Sequence, residues 1–174
     1  MVSERTMRVG PDGGQPPWLV VYDSKYGNTE RIAQVITETL AGSSPARALH
    51  VGQVKAPDLE GVTLLVMGCP TQAWHATPAM TVFLASIPRD RLKAMAVACF
   101  DTRYDKPRWL TGSAARHLAK LVKQAGGQLL TPPESFFVDR SEGPLAAGEL
   151  ERAEGWANSL AASFAKRGAR VHLP

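Results

Sequence analysis

The stretch VVYDSKYGNTERIAQVI, residues 20–36, decides the fold because three local signals follow one another in it. An apolar run over 18–22 predicts a buried strand, and the apolar residues after Arg31 recur at helical spacing, which predicts a helix over 31–41. Between them lies a polar turn, SKYGNTE, at 24–30. A strand, a glycine-containing polar turn and a helix, in this order, can hold a phosphate on the free N–H groups of the helix N-terminus.

The side chains of this turn suit an anion, although a second interpretation exists. Ser24 and Thr29 offer hydroxyl groups, Asn28 offers an amide, and Gly27 permits a tight or left-handed backbone. The alternative is a plain strand-to-helix turn in which Thr29 or Asn28 is the N-cap residue.

The rest of the chain alternates between strand and helix signals. Strands are predicted near 47–51, 62–67 and 95–100 and within 129–138, the last interrupted by two prolines, and helices over 78–86, 113–125 and 146–166. The segment before the third strand is too short for more than a turn. This alternation predicts a parallel sheet with helices on both faces, in which ligands bind beyond the carboxyl ends of the strands. The segments 23–29, 68–77 and 100–112 are therefore the candidate site.

Two stretches of the sequence resemble the flavodoxin family. VVYDSKYGNTERIAQVI is similar to its phosphate loop, and Asp101-Thr102-Arg103-Tyr104 is similar to its Asp-Ser-x-Tyr stretch. The resemblance implies a flavodoxin-like fold of class α/β over 18–174. The implied architecture is a three-layer α/β/α sandwich with a five-stranded parallel sheet in the order 2-1-3-4-5. Residues 1–17 are expected to form a flexible N-terminal tail.

The same resemblance implies a non-covalently bound FMN, with Trp74 on one side of its ring and Tyr104 stacked on the outer face. The implied cofactor-binding residues come from the three loops and are Ser24, Lys25, Tyr26, Gly27, Asn28, Thr29, Pro70, Thr71, Gln72, Trp74, Asp101, Thr102, Arg103 and Tyr104. Trp109 is expected to pack under the following helix.

The function implied is electron transfer, with FMN shuttling electrons between a reductase and a redox partner protein and no catalytic residue supplied by the chain. The alternative is an FMN-dependent NAD(P)H or quinone oxidoreductase of the same fold, in which His75, Tyr104 and Arg103 line a substrate pocket. His75 otherwise reads as a solvent-facing loop residue. A monomer or weak dimer is expected.

Composition narrows the function classes. The 174-residue chain is 44% hydrophobic, with no apolar run long enough to span a membrane and no signal-peptide pattern. Its two cysteines, Cys69 and Cys99, predict reduced buried thiols, and together these features indicate a cytoplasmic protein. There is no phosphorylatable Asp after the third strand, as a receiver domain would need, no nucleotide-hydrolysing P-loop and no metal-ligand spacing.

Charge sets this chain apart from electron-carrying flavodoxins, which are usually acidic. Its formal net charge is +4, and segment 101–125 alone carries six cations against two acids. No nucleic-acid motif accompanies this segment, so no nucleic-acid partner is predicted. Arg103, Lys106 and Arg108 fall in the predicted third loop, where positive charge would raise the potential of a bound flavin.

Overall fold

The centre of the fold is a parallel β-sheet between two layers of helices. The structure, a computed structural model, describes residues 17–171. Its strands are β1 Trp18–Tyr22, β2 Ala46–His50, β3 Leu64–Pro70, β4 Ala96–Tyr104, β5 Gln128–Leu129 and β6 Glu134–Val138. Its helices are α1 Asn28–Leu40, α2 Pro78–Ser86, α3 Arg89–Ala94, α4 Arg108–Thr111, α5 Ala114–Gln124 and α6 Glu149–Val171. The tail predicted at 1–17 lies outside the described residues, apart from Pro17.

The strand order is β2-β1-β3-β4-β5, which confirms the predicted 2-1-3-4-5 parallel arrangement. Two short strands share the fifth position. β5 pairs with the start of β4, and β6 pairs with its end, from Phe100 to Tyr104. Pro132 and Pro133 lie in the interruption, as predicted, because proline has no N–H to donate to a ladder.

The core consists of two apolar clusters, one on each face of the sheet. One cluster packs α2, α3 and α5 against the sheet, and the other packs α1 and α6. The side chains of β3 and β4 are buried on both faces, which accounts for their continuous apolar sequences. The helical stripe of α1, including Ile32 and Ile36, is fully buried.

Several boundaries differ from the sequence prediction in ways that shape the site. Helix α1 begins at Asn28 rather than near 31, so the polar turn is shorter and its last residues belong to the helix. Strand β4 runs on to Tyr104, and Arg103 is therefore a strand residue rather than a loop residue. The segment joining β2 to β3 forms two short 3-10 turns, Val51–Gln53 and Ala56–Leu59, in agreement with the absence of a helix there.

Both cysteines are free and buried, as predicted. Burial is the main cause that raises the pKa of the Cys69 thiol to about 12, and burial likewise raises the pKa of Cys99. Separately, none of the helices between residues 17 and 171 is long and apolar enough to cross a membrane.

Candidate functional site

A cleft of about 500 Å³ opens beyond the carboxyl ends of β1, β3 and β4, at the edge where the sequence placed the site. The predicted residues in its wall are Ser24, Lys25, Tyr26, Asn28, Thr29, Pro70, Thr71, Gln72, Trp74, Thr102, Arg103 and Tyr104. Ala73, Leu110, Thr111, Val138 and Ser141 also line it and were missed. Gly27 and Asp101, both predicted, do not line the wall.

The first loop leaves backbone donors without acceptors. Gly27 has a φ of 88° and is the N-cap residue of α1, so neither Thr29 nor Asn28 caps this helix, contrary to the plain-turn alternative. The Ser24 hydroxyl accepts from the N–H of Gly27 at 3.1 Å and from that of Glu30 at 3.4 Å. Within residues 17–171, the N–H groups of 25, 26, 28 and 29 have no protein acceptor. Such a set of free amides, at the positive end of a helix dipole, is suited to bind an anion.

The side chains of α1's first turn tie this loop to distant parts of the chain. The hydroxyls of Thr29 and Thr102 lie 2.7 Å apart, and both residues are buried. The Asn28 amide donates to the carbonyl of Glu142 at 3.2 Å. The first turn is thereby fixed to the end of β4 and to the loop after β6.

The second loop makes a tight reversal that presents Trp74. Gln72 and His75 exchange two backbone hydrogen bonds, of 3.0 and 2.9 Å, across Ala73 and Trp74. These two central residues have φ angles of 43° and 69°, values that residues other than glycine rarely adopt. Trp74 is 56% exposed in the cleft wall.

Gly112 leaves the space that this reversal needs. A Cβ atom at residue 112 would lie 2.3 Å from the Cα atom of Trp74, and Gly112 itself has a φ of 70°. The backbones of the two residues form a β-bridge. Only glycine satisfies both the φ angle and the close approach.

His75 is exposed, as predicted, and lies outside the cleft wall. Its ring stands 4.9 Å from that of His117, centroid to centroid. His117, which the sequence analysis did not single out, accepts a hydrogen bond at Nδ1 from the N–H of Ala76 at 3.1 Å. Burial lowers the pKa of His117, and the nearby His75 and Lys120 lower it further.

Asp101 lies behind the cleft wall and acts on the scaffold. Its carboxylate is fully buried, and Oδ2 accepts from the Ser113 hydroxyl at 2.6 Å, the Ala115 N–H at 2.9 Å and the Thr71 hydroxyl at 3.2 Å. Asp101 thus holds the N-terminus of α5 and the second loop together.

Arg103 is a buried cation at the edge of the cleft rather than a loop cation. It is 7% exposed, and its Nε donates to the Ser135 hydroxyl at 3.1 Å. Its Nη1 donates to the carbonyls of Tyr104 and Lys106, at 3.1 and 2.8 Å. Burial lowers the pKa of Arg103, and Asp101, whose Oδ1 lies 4.0 Å from Nε, opposes this shift.

The third loop supplies an aromatic wall and an exposed edge. Tyr104 is 39% exposed in the wall, and its hydroxyl hydrogen-bonds to that of Ser141. Leu110 also faces the cleft. Trp109 is 80% exposed, so the expectation that it packs under the following helix is wrong.

A sequence model described as the flavodoxin domain matches residues 19–138, most of the chain and all three loops. The chain belongs to the flavodoxin domain family. No curated protein matches this flavodoxin-family chain. Within residues 17–171, no three His, Cys, Asp or Glu side chains are grouped so that they could hold a metal ion.

Solved structures share the fold at low sequence identity. A flavodoxin from the domain Archaea is 17% identical, with a TM-score of 0.67, over 82% of this chain and 94% of that one. Oxidised flavodoxin 2 from Bacillus cereus is 19% identical, with a TM-score of 0.67, over 84% and 98%. Rubredoxin oxygen:oxidoreductase from Desulfovibrio gigas is 16% identical, with a TM-score of 0.68, but only 38% of its length is covered, against 89% of this chain.

Proposed function

We propose that this flavodoxin-family protein binds FMN non-covalently and carries electrons between a reductase and a redox partner protein. The observation that carries the proposal is the row of unpaired amides at residues 25, 26, 28 and 29, at the head of α1 and beside a cleft with aromatic walls.

The phosphate end of FMN fits the first loop. The cleft is lined by Lys25, Tyr26, Asn28 and Thr29, which together offer four free N–H groups, the Thr29 hydroxyl and the cation of Lys25. A phosphate would satisfy amides that otherwise rely on solvent. A hydroxyl can donate one hydrogen bond while accepting another, so Thr29 can accept from Thr102 and donate to a phosphate oxygen.

The ring end of FMN fits the second and third loops. Trp74 and Tyr104 supply flat apolar faces, and Leu110 adds an aliphatic side. The volume of about 500 Å³ lies within the usual range of roughly 300–1,000 Å³ for small-molecule sites. Stacking on each aromatic ring is worth about 0.5–1.5 kcal/mol beyond burial.

The chemistry supports a carrier over an enzyme with its own acid, base or nucleophile. FMN supplies the redox chemistry when bound, and the chain binds it, orients it and limits the access of water. Asp101 is engaged with three donors behind the wall, and His75 is turned toward His117. Of the three residues considered for a substrate pocket, only Tyr104 and Arg103 line the cleft.

The test is a pair of fluorescence titrations, one with FMN and one with riboflavin, which lacks the phosphate. Charge-assisted hydrogen bonds are worth about 1.5–3 kcal/mol each, so FMN is expected to bind at least about a hundredfold more tightly. Equal affinities for FMN and riboflavin would show that the site does not recognise the phosphate. If the protein quenches the fluorescence of neither compound, it does not bind the flavin. Steady NAD(P)H oxidation by the FMN-loaded protein alone, without a reductase, would favour the oxidoreductase alternative.

A further inference from the structure

Beyond the cleft, the segment 106–133 contains no Asp or Glu. It carries five cations, and those are Lys106, Arg108, Arg116, Lys120 and Lys123. All five are exposed. The segment runs from the mouth of the cleft through α4 and along the whole of α5.

The cations of α5 form one unneutralised stripe. Arg116, Lys120 and Lys123 are spaced four and three residues apart, which places them on the same helix face. Within the described part of the chain no carboxylate pairs with any of them. Like charges at this spacing destabilise a helix, and the helix dipole offsets this cost only near Lys123, in the last turn of α5.

An exposed apolar patch on α4 lies beside the cleft. On α4, Trp109 is 80% exposed and Leu110 is 50% exposed, and Leu110 also lines the cleft. The backbone of Gly112, next to α4, is bridged to that of Trp74 in the cleft wall. Trp109 follows Arg108, and tryptophan and arginine are enriched among the hot-spot residues of protein interfaces.

We propose that the protein with which this chain exchanges electrons docks over α4 and α5 and presents a carboxylate-rich face to them. Trp109 and Leu110 form the desolvated centre of the contact, and the five cations form its rim. The proposal rests on the proposed function, because docking here brings the partner to the edge of the flavin cleft. A symmetric dimer through this surface does not fit, since it would place two basic surfaces against each other.

The experiment measures electron transfer from the reduced, FMN-loaded protein by stopped flow. The acceptors are the soluble domain of cytochrome b5, which is acidic around its haem edge, and cytochrome c, which is basic there. With the acidic acceptor, the second-order rate constant is expected to fall about tenfold or more as salt rises from roughly 0.01 M to roughly 1 M, because attraction is screened. With the basic acceptor it is expected to stay level or rise.

Two variants and one control assign the effect to residues. Lys120→Glu with Lys123→Glu should lower the low-salt rate with cytochrome b5 about tenfold and leave the high-salt rate unchanged. Trp109→Ala should lower the rate at every salt concentration, because apolar contact is not screened by salt. Lys166→Glu reverses an exposed charge on α6, in the opposite helix layer, and should change neither rate.

Each contrary outcome overturns a distinct statement. If the protein retains no FMN before mixing, the proposed function is wrong, and the docking proposal, which rests on it, is wrong as well. A flavin-loaded protein whose rate with cytochrome b5 does not depend on salt, or does not respond to the α5 reversal, refutes the docking proposal alone. Binding of a short DNA duplex at physiological salt that the reversal abolishes, with electron transfer unaffected, would assign the surface to nucleic acid instead.

Discussion

The hydroxyl groups of Thr29 and Thr102 lie 2.7 Å apart and join the first turn of α1 to the end of β4 beneath the cleft. Both residues are buried, so neither hydroxyl can exchange this partner for bulk water. Only one of the two donates in this contact, which leaves the other hydroxyl hydrogen for a further acceptor. The pair therefore connects the floor of the cleft to whatever anion occupies the first loop.

Thr29→Ala is expected to weaken both the fold and the binding of FMN. The substitution leaves the Thr102 hydroxyl buried without its partner, at a cost of about 1–3 kcal/mol in the free energy of unfolding. The loss of a hydroxyl contact to a phosphate adds a fall in FMN affinity of about tenfold or more. Urea unfolding and FMN fluorescence titration measure the two effects separately.

Thr29→Ser is the matched control, because it retains the hydroxyl and removes only a methyl group. Its FMN affinity should stay close to that of the original protein. If Thr29→Ala binds FMN as tightly as Thr29→Ser does, then Thr29 makes no contact with the phosphate.

Gly112→Ala is expected to displace the backbone of Trp74. The added Cβ would stand 2.3 Å from the Trp74 Cα atom, and the φ of 70° alone costs a non-glycine residue about 1–2 kcal/mol. The free energy of unfolding should fall by at least that amount, and FMN should bind more weakly because Trp74 is displaced.

Gly155→Ala tests whether this effect is specific. Gly155 lies in the exposed middle of α6 with no atom near the position of a new Cβ, so alanine there should stabilise the helix by up to about 1 kcal/mol. Chemical unfolding monitored by circular dichroism compares the two variants. A Gly112→Ala protein as stable as Gly155→Ala would contradict the close approach of residues 74 and 112.

Asp101→Asn is expected to destabilise the protein although the change is isosteric. The buried Arg103 would lose its counterion. Because the three donors around Oδ2 still need the amide oxygen as their acceptor, the new NH2 group would lie at the Oδ1 position and face a guanidinium that only donates. Breaking a buried ion pair from one side costs about 3 kcal/mol. Asp90→Asn, at an exposed position on α3, is the control and should change the free energy of unfolding by less than about 0.5 kcal/mol. Equal effects in the two variants would mean that Asp101 does not balance Arg103.

The parts of the fold that the sequence predicted are those whose signals lie within short, continuous segments. The polar first turn lies within residues 24–30, and the apolar strands and amphipathic helices each carry their own period. The strand order came from resemblance to a family, not from any single segment. The rule that ligands bind beyond the strand ends, applied to the predicted parallel sheet, had already selected the three segments that line the cleft.

The parts that the sequence did not predict depend on contacts between distant residues. Ser141 reaches the cleft because the loop after β6 folds back onto Asn28, and nothing near residue 141 signals this. Arg103 looked like a loop cation because charged residues rarely lie in central strands. Its burial became favourable only through acceptors on Ser135 and on neighbouring carbonyls. Trp109 was expected under the following helix, yet no element between residues 17 and 171 covers it.

The stability of the protein should fall as the solution is acidified through the titration of His117. Burial, with His75 and Lys120 nearby, holds the pKa of His117 in the folded state below its unfolded value of about 6.5. The unfolded chain therefore binds a proton first. The contribution of His117 is complete above about pH 6.5 and is lost as the pH falls through the folded pKa. Protonation also removes the Nδ1 acceptor of the Ala76 N–H, which loosens the second loop.

His117→Gln isolates this group from the carboxylates, which titrate over a neighbouring range. Its side-chain oxygen can still accept from Ala76, but it cannot be protonated in this range. We expect urea unfolding to give a smaller loss of stability between about pH 7.5 and about pH 5 for the variant than for the original protein. His75→Asn should reduce the loss part of the way, because it removes one of the neighbours that lower the pKa of His117. If all three proteins lose stability equally over this interval, His117 does not titrate abnormally in the folded state.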